Sequence, residues 1–329
     1  MAFDAIVPTP SENVRARNGA GMQVRAIINL RAGTALGLSE DNMRDVIAGA
    51  FAKHGHSISV DCLPPEMIED AIAEAAQQDI DALIVGGGDG TLRTAARHLM
   101  GSRIALGILP LGTMNRLAKD LEIPLDLPQA ANFLATAQPT KIDVAKVNDS
   151  IFLCNSLMGT TLRYSVGRAR LRGKPASERL PKYFRLIRDI LSSRQKISIV
   201  VDNGSELLRL RALSVAVTNN SYDESTTWLR RSQLDRGKLT MYVSKHRNGW
   251  GLAKALLRAV LGRWDGDPQM DKLTGTRFVI HSPLKRKRLA NDGEISKFET
   301  PLVYEIVPRA LTVLATPHSD QGDFENRTN

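Results

Sequence analysis

The chain has 329 residues, with 44 Lys and Arg against 35 Asp and Glu, giving a formal net charge of +9. Its 43% hydrophobic and 24% charged residues are ordinary globular composition, which excludes a disordered or fibrous chain, and the length suits two domains. Only 5% of residues are aromatic, too few for a protein that reads nucleic acid by base stacking.

Residues 1–20 and 317–329 are polar and unpatterned and read as disordered tails. Asp4 and Pro8 interrupt the start where a secretory signal would need an apolar core. No stretch approaches the roughly 18 uninterrupted apolar residues of a membrane span. A cytoplasmic protein is expected. Cys62 and Cys154 lie in apolar surroundings without a Cys or His at metal-binding spacing, and read as buried free thiols.

From residue 23, short apolar runs alternate with helical periods. Val24–Ile28 reads as a strand, followed by a helix after Ser39 whose apolar positions are Met43, Val46, Ile47, Ala50 and Phe51. Ile58–Val60 is a second strand, and Ile68, Ile72 and Ala75 mark a second helix. Ala82–Val85 is a third strand, then a helix from Thr91 to Met100, a fourth strand at Ile104–Leu109 and a short helix from Asn115 to Leu121. This alternation predicts an α/β domain with a Rossmann-like parallel sheet over residues 21–140.

Beyond residue 140 the pattern is strand-dominated, at Ile142–Val147, Phe152–Cys154, Ile197–Asp202, Ala212–Thr218, Lys238–Val243, Phe278–His281 and Tyr304–Val307. Helical periods recur only at Tyr183–Leu191 and Leu252–Leu261. A β-rich antiparallel sandwich is expected over residues 141–304.

The most informative segment is Gly86-Gly87-Gly88-Asp89-Gly90-Thr91, at the carboxyl end of a predicted strand. Glycines there let the backbone approach an anion, and the amides of the following helix start can donate to phosphate. Asp89 places a carboxylate in that same turn, an electrostatic cost that a bridging cation removes, so Mg²⁺ is implied. The chain has no Walker A spacing, and the dinucleotide fingerprint fails because Thr91 or Arg93 stands where its last glycine belongs. A second turn, Pro110-Leu111-Gly112-Thr113-Met114-Asn115, has similar chemistry at the next strand end.

Together these turns resemble the diacylglycerol/sphingosine kinase catalytic domain, closest to the soluble bacterial lipid kinases. Asn29-x-x-x-Gly33, Lys141-Ile142-Asp143-Val144 and Asn291-Asp292-Gly293-Glu294 add to the likeness, which runs from about residue 23 to 316. The Gly-Gly-Asp-Gly-Thr element alone is shared with NAD kinases. The resemblance implies an ATP-dependent lipid kinase, plausibly acting on diacylglycerol, with its site in the cleft between the two domains. ATP would lie on Gly87, Gly88, Asp89, Gly90 and Thr91, with Thr113, Asn115, Asn29 and Gly33 completing the pocket. Asp89 and Asp143 would organise Mg²⁺ through water, and the loop bearing Asp292 and Glu294 would supply the base for the lipid hydroxyl. The final segment, residues 305–316, would return to the first domain.

Three elements depart from that pattern. Arg93 and Thr94 follow Leu92 where the family usually has Asn-Glu. Arg116 follows Asn115 where Asp is frequent, with Asp120 one helical turn on and placed to pair with it. Asp235-Arg236-Gly237 carries Arg at a position linked with a structural Mg²⁺, so no metal ligand is assigned. A NAD kinase-like enzyme and a non-catalytic ATP- or lipid-binding relative are the alternatives.

The charge is concentrated. Residues 163–196 hold eleven basic residues against Glu178 and Asp189, so this stretch carries the whole excess and the remainder is neutral. Phe184, Ile187 and Leu191 form an apolar face among Lys182, Arg185 and Arg188; Leu256, Leu257, Val260 and Leu261 do so with Lys254 and Arg258. Basic amphipathic helices suit an anionic membrane surface, and peripheral attachment through the 163–196 region is expected.

Overall fold

The structure, a computed structural model, describes residues 21–33, 35–37, 39–171, 176–223, 230–261 and 267–316. Both expected tails, and residues 172–175 of the basic stretch, lie outside the described residues.

The N-terminal part alternates β1 (Gln23–Asn29), α1 (Glu40–Ala52), β2 (Ser57–Leu63), α2 (Pro65–Ala75), β3 (Ala82–Gly87), α3 (Asp89–Leu99), β4 (Ala105–Pro110), α4 (Arg116–Asp120) and α5 (Leu127–Thr136). The strands run parallel in the order β2-β1-β3-β4. Every residue of β3 and β4 is buried, which is why they are apolar runs rather than alternating patterns: parallel strands are covered on both faces. Ser39 caps α1, accepting from the Asn42 amide at 3.3 Å. Helix α5 was not expected. Its buried face is mostly alanine, at Ala130, Ala131 and Ala135 around Leu134, so few bulky apolar residues mark it.

This sheet does not stop at the end of the parallel part. It continues through β16 (Leu302–Ala315), which runs parallel to β4 and antiparallel to β5 (Gln138–Val147). β13 (Arg277–His281), β8 (Ile197–Asp202) and β9 (Leu207–Ala212) follow, and β6 (Ser150–Phe152) pairs with β5, making ten strands. A six-stranded antiparallel sheet faces it, ordered β12 (Met270–Gly275), β11 (Leu239–Ser244), β10 (Ser214–Asn219), β7 (Asn155–Gly159), β14 (Arg286–Asn291) and β15 (Glu294–Glu299). The predicted classes are both present, a Rossmann-like parallel sheet and an antiparallel sandwich, but they share one sheet.

Two hydrophobic cores result. One fills the α/β part around Ile27, Ile84, Leu106 and Leu134; the other lies between the sheets around Phe152, Val217, Met241 and Phe278. β16 serves both, placing Leu302 and Tyr304 in the second core and Val313 and Leu314 in the first. Its register shifts between Val307 and Leu311, where Arg309 has φ 51°. That break explains why only Tyr304–Val307 was legible as a strand: Pro308 and Arg309 interrupt the apolar pattern midway.

Two further helices accompany a third: α6 (Thr160–Leu171), α7 (Ala176–Leu191) and α8 (Gly249–Val260). The expectation of helices only at the latter two is corrected by α6, whose polar composition masks its period. β9, β12, β14 and β15 were also unread, because they are half-exposed strands rich in charge and lack an apolar run.

Candidate active site

Three turns meet at the carboxyl ends of β1, β3 and β4. β1 and β3 are neighbours although β2 and α2 intervene in sequence, so the strand order reverses here, the place where open α/β sheets bind ligands. The glycine turn and the second turn pack backbone against backbone. A Cβ added to Gly112 would fall 2.5 Å from the Cα of Gly88, so only glycine permits this approach. The Asn29–Gly33 turn closes the third side. Asn29 donates through Nδ2 to Thr91 Oγ1 at 3.5 Å, and a Cβ on Gly33 would lie 3.2 Å from Thr113 Oγ1. The structure thus brings together Asn29, Gly33, Gly87, Gly88, Gly90, Thr91 and Thr113.

α3 begins at Asp89, and its first-turn amides face the same space. Asp89 accepts the Arg116 amide at 3.1 Å through Oδ1. Burial pushes the Asp89 carboxyl upward, and the charge of Asp292 adds to this. Asn115 has the left-handed conformation, φ 48° and ψ 46°, and donates through Nδ2 to the Pro110 carbonyl at 2.8 Å. Its Oδ1 is buried without a partner, as are both side-chain polar atoms of Asn291. The orphaned Asn115 oxygen beside the glycine turn suits a polar ligand.

The turn between β14 and β15 reaches this space from the other core. Its two carboxylates have different environments. Asp292, with φ 49°, accepts the amides of Leu153 at 2.7 Å, Cys154 at 2.8 Å and Asn155 at 3.0 Å. Burial pushes its carboxyl up, and those three amides oppose the shift. Glu294 remains half exposed, its side chain at 51%, and pairs with Arg93. A Cβ on Gly90 would stand 2.0 Å from Glu294 Oε1, so this carboxylate lies directly over the N-terminal turn of α3. Arg93 also donates to the Asn291 carbonyl at 3.2 Å. The unusual Arg at position 93 therefore ties the glycine turn to the opposite loop.

Asp143 is placed differently. Its carboxylate accepts the amides of Arg309 at 2.8 Å and Gly237 at 2.6 Å, and the Asn220 side chain at 3.0 Å. Those partners make it a junction between β5, β16 and the second sheet's loops, with its oxygens spent away from the turns. Asp120 does not pair with Arg116 as expected. It binds the backbone amide and guanidinium of Arg231, and Arg231 donates as well to the carbonyls of Leu153 at 2.9 Å and Asn219 at 2.7 Å. The reason is geometric: Arg116 turns toward Tyr222, donating to its hydroxyl at 3.4 Å. Asn155 donates to the same oxygen at 3.3 Å.

Sequence reading missed Arg231, Tyr222 and Asn155. All three come from the β-rich part and have no motif around them. The one available signal was Asp120, a carboxylate on the apolar face of a helix, which calls for a buried cation.

Both cysteines are free and buried, as expected, and burial raises both thiols. Among the described residues no cluster of three or more His, Cys, Asp or Glu side chains forms a metal site.

Residues 23–147 match the model of the diacylglycerol kinase catalytic domain. A Klebsiella pneumoniae protein named Probable lipid kinase YegS-like is 43% identical over 90 residues, covering 27% of this chain and 30% of that protein. A Staphylococcus saprophyticus Diacylglycerol kinase is 36% identical over 93 residues, again 27% and 30%. The matched segment thus spans under a third of the length of these curated relatives. A Bacillus anthracis protein whose crystal structure is described as that of a candidate diacylglycerol kinase superposes with a TM-score of 0.71 at 21% identity, covering 90% of this chain and 98% of that one. The fold is therefore shared along nearly the whole chain.

Proposed function

We propose, starting from the match of residues 23–147 to the diacylglycerol kinase catalytic domain, that this protein is a lipid kinase transferring the γ-phosphate of ATP to a lipid hydroxyl, diacylglycerol being the leading acceptor. The observation that carries the reading is the position of Glu294, a half-exposed carboxylate paired with Arg93 and brought from the second core to lie over the first turn of α3. A phosphate at that helix start and a carboxylate above it are what an alcohol acceptor requires.

The ATP phosphates rest on the amides of Gly88, Asp89, Gly90 and Thr91, where helix dipole and unpaired N–H groups favour an anion. Thr113, Asn115, Asn29 and Gly33 close the pocket, and the unpartnered Asn115 Oδ1 accepts a hydrogen bond from the ligand. Asp89 fits a divalent cation: burial disfavours its bare charge, and one oxygen is free of the Arg116 amide. Mg²⁺ held there through water would neutralise charge on the transferring phosphates. Asp143 is left out of this group because its oxygens are already bonded elsewhere.

The base falls to Glu294. Asp292 spends both oxygens on three amides and so anchors the turn, whereas Glu294 has only Arg93. Glu294 takes the proton as the lipid oxygen attacks the γ-phosphorus, the bond to the β-phosphate oxygen breaks, and ADP leaves. The nucleotide part would span residues 21–140, the lipid part 141–304, and residues 305–316 would tie the second part back to the first. The enzyme would be cytoplasmic and would attach peripherally to an anionic membrane through the 163–196 region.

The deciding experiment offers purified protein, Mg²⁺ and ATP radiolabelled in its γ-phosphate to a panel of lipids in detergent micelles. Labelled diacylglycerol or another hydroxyl lipid is expected. No labelled lipid despite intact ATP binding would overturn the reading, and labelled NAD in a parallel reaction would favour a NAD kinase-like activity.

A further inference from the structure

Helices α7 and α8 leave apolar side chains exposed on continuous stripes. On α7, Phe184 is 74% and Ile187 41% exposed, with Leu191 next on the same face. On α8, Trp250 is 56%, Leu257 60% and the adjoining Leu261 58% exposed, with Lys254 between them. Positions 250, 254, 257 and 261 recur at helical spacing, so they share one face. The two helices pack together, and the Gly249 amide that opens α8 donates to the Ser193 carbonyl just after α7, at 3.0 Å.

Cations are interleaved with these stripes. Lys182, Arg185 and Arg188 on α7, and Lys254 and Arg258 on α8, are all exposed. Among the described side chains of the two helices, Asp189 is the one acid, and it sits 3.5 Å from Arg188. A protein partner would call for a centre depleted of charge with a polar rim. Here each apolar residue has a cation within a helical turn, and long basic side chains can lay their stems on the apolar surface while reaching outward to phosphates. A Trp at the edge suits the same boundary between hydrocarbon and water.

We infer that α7 and α8 together form a docking face for an anionic lipid bilayer, with Phe184, Ile187, Trp250, Leu257 and Leu261 entering the headgroup boundary and the five cations binding lipid phosphates. This extends the attachment region given above: α8 lies outside residues 163–196, and the apolar stripes are as necessary as the charge. It rests on the lipid-kinase reading only for its purpose, since binding is measured without ATP or turnover.

The test is cosedimentation of the full chain with vesicles of phosphatidylcholine alone or with phosphatidylglycerol added. The unaltered protein should partition onto the anionic vesicles and release as salt is raised. Arg185→Glu with Arg188→Glu should lower partition at least about thirtyfold, and Phe184→Glu with Leu257→Glu about tenfold or more. Thermal melting should stay unchanged, because all four side chains are exposed. Lys53→Glu with Lys141→Glu, away from this face, should bind as the parent does. No binding to anionic vesicles, equal binding to neutral ones, or full binding by both altered proteins would overturn the inference. So would a shift from dimer to monomer in the Phe184/Leu257 variant with vesicle binding unchanged, which would assign the face to a second copy of this chain. Micelle-based phosphorylation that persists in both variants would leave the kinase reading standing whichever way this test falls.

Discussion

The turn at Gly86–Thr91 and the turn at Asn291–Glu294 both bring carboxylates to the same space, yet they are built in opposite ways. The first is made locally: parallel strand, glycines, helix start, all within ten residues. The second is a tight link between two charged strands, and its shape depends on distant partners. Asp292 is held by the amides of Leu153, Cys154 and Asn155, and Glu294 by Arg93. A local turn can be recognised from its residues, whereas a turn held by long-range bonds acquires meaning only when its partners arrive. The difference also separates two carboxylates that look alike in sequence, since Asp292 is buried on three amides and Glu294 is half exposed beside Arg93.

Breaking the anchor should have the largest effect. Asp292→Ala leaves three buried amides without an acceptor, and a loss of about 3–5 kcal/mol is expected in urea unfolding, together with loss of phosphorylation. Stability within about 1 kcal/mol of the parent would show that the two carboxylates are not so different. Glu294→Gln should do the reverse. Turnover should fall by about 10²–10⁴-fold while ATP affinity and the melting temperature hold, as a half-exposed side chain predicts; parallel calorimetry and lipid phosphorylation would separate these outcomes.

The local turn can be tested by crowding. Gly112→Ala would put a Cβ against the Gly88 Cα, and a cost of about 1–3 kcal/mol is expected, with weakened ATP binding measured by titration. A smaller effect concerns pH. Both Asp89 and Asp292 have carboxyls raised above the ordinary 3.8, so above about pH 4 the folded protein holds more protons than the unfolded chain. Their favourable contribution is present at low pH and is lost as pH rises through the folded values. Asp89→Asn should therefore flatten the pH dependence of the urea midpoint and stabilise the nucleotide-free protein near neutrality, while removing Mg²⁺-dependent turnover. A steeper slope in that variant would contradict the buried-charge account of Asp89.

Least of all in stability, Arg93→Ala should cost about 1 kcal/mol or less, because its partner is half exposed. Its effect should appear instead in kcat, since Glu294 would lose the cation that holds it over Gly90. Equal kcat in the variant would make Arg93 a bystander.

Legibility followed burial and sequence distance. β3 and β4 were readable because complete burial demands uninterrupted apolar residues, and α1 because Ser39 and its apolar spacing agree. α5 escaped notice because its buried face is mostly small alanines rather than bulky apolar residues, and β14 and β15 because half-exposed strands alternate with charge. In the site, Thr91 and Thr113 are legible from turns at strand ends, and Asn29 from the family resemblance. Arg231 was not, since nothing near it in the chain reveals that Asp120, 111 residues earlier, is its partner. The same limit explains Asp143, which reads as a site residue from its strand motif but is consumed by Arg309 and Gly237.

Residue order by itself determined the alternation of strands and helices, the glycine-rich turns at two strand ends, the buried thiols and the concentration of the +9 charge between residues 163 and 196. These depend on neighbours within a few turns of chain, where periodicity and glycine content act directly. Only tertiary structure decided that β16 joins both cores, that Glu294 lies half exposed over Gly90 while Asp292 is buried on three amides, and that the basic helix lies beside a second one with an exposed apolar stripe. Those outcomes are set by contacts between residues far apart in the chain, whose partners are chosen by packing.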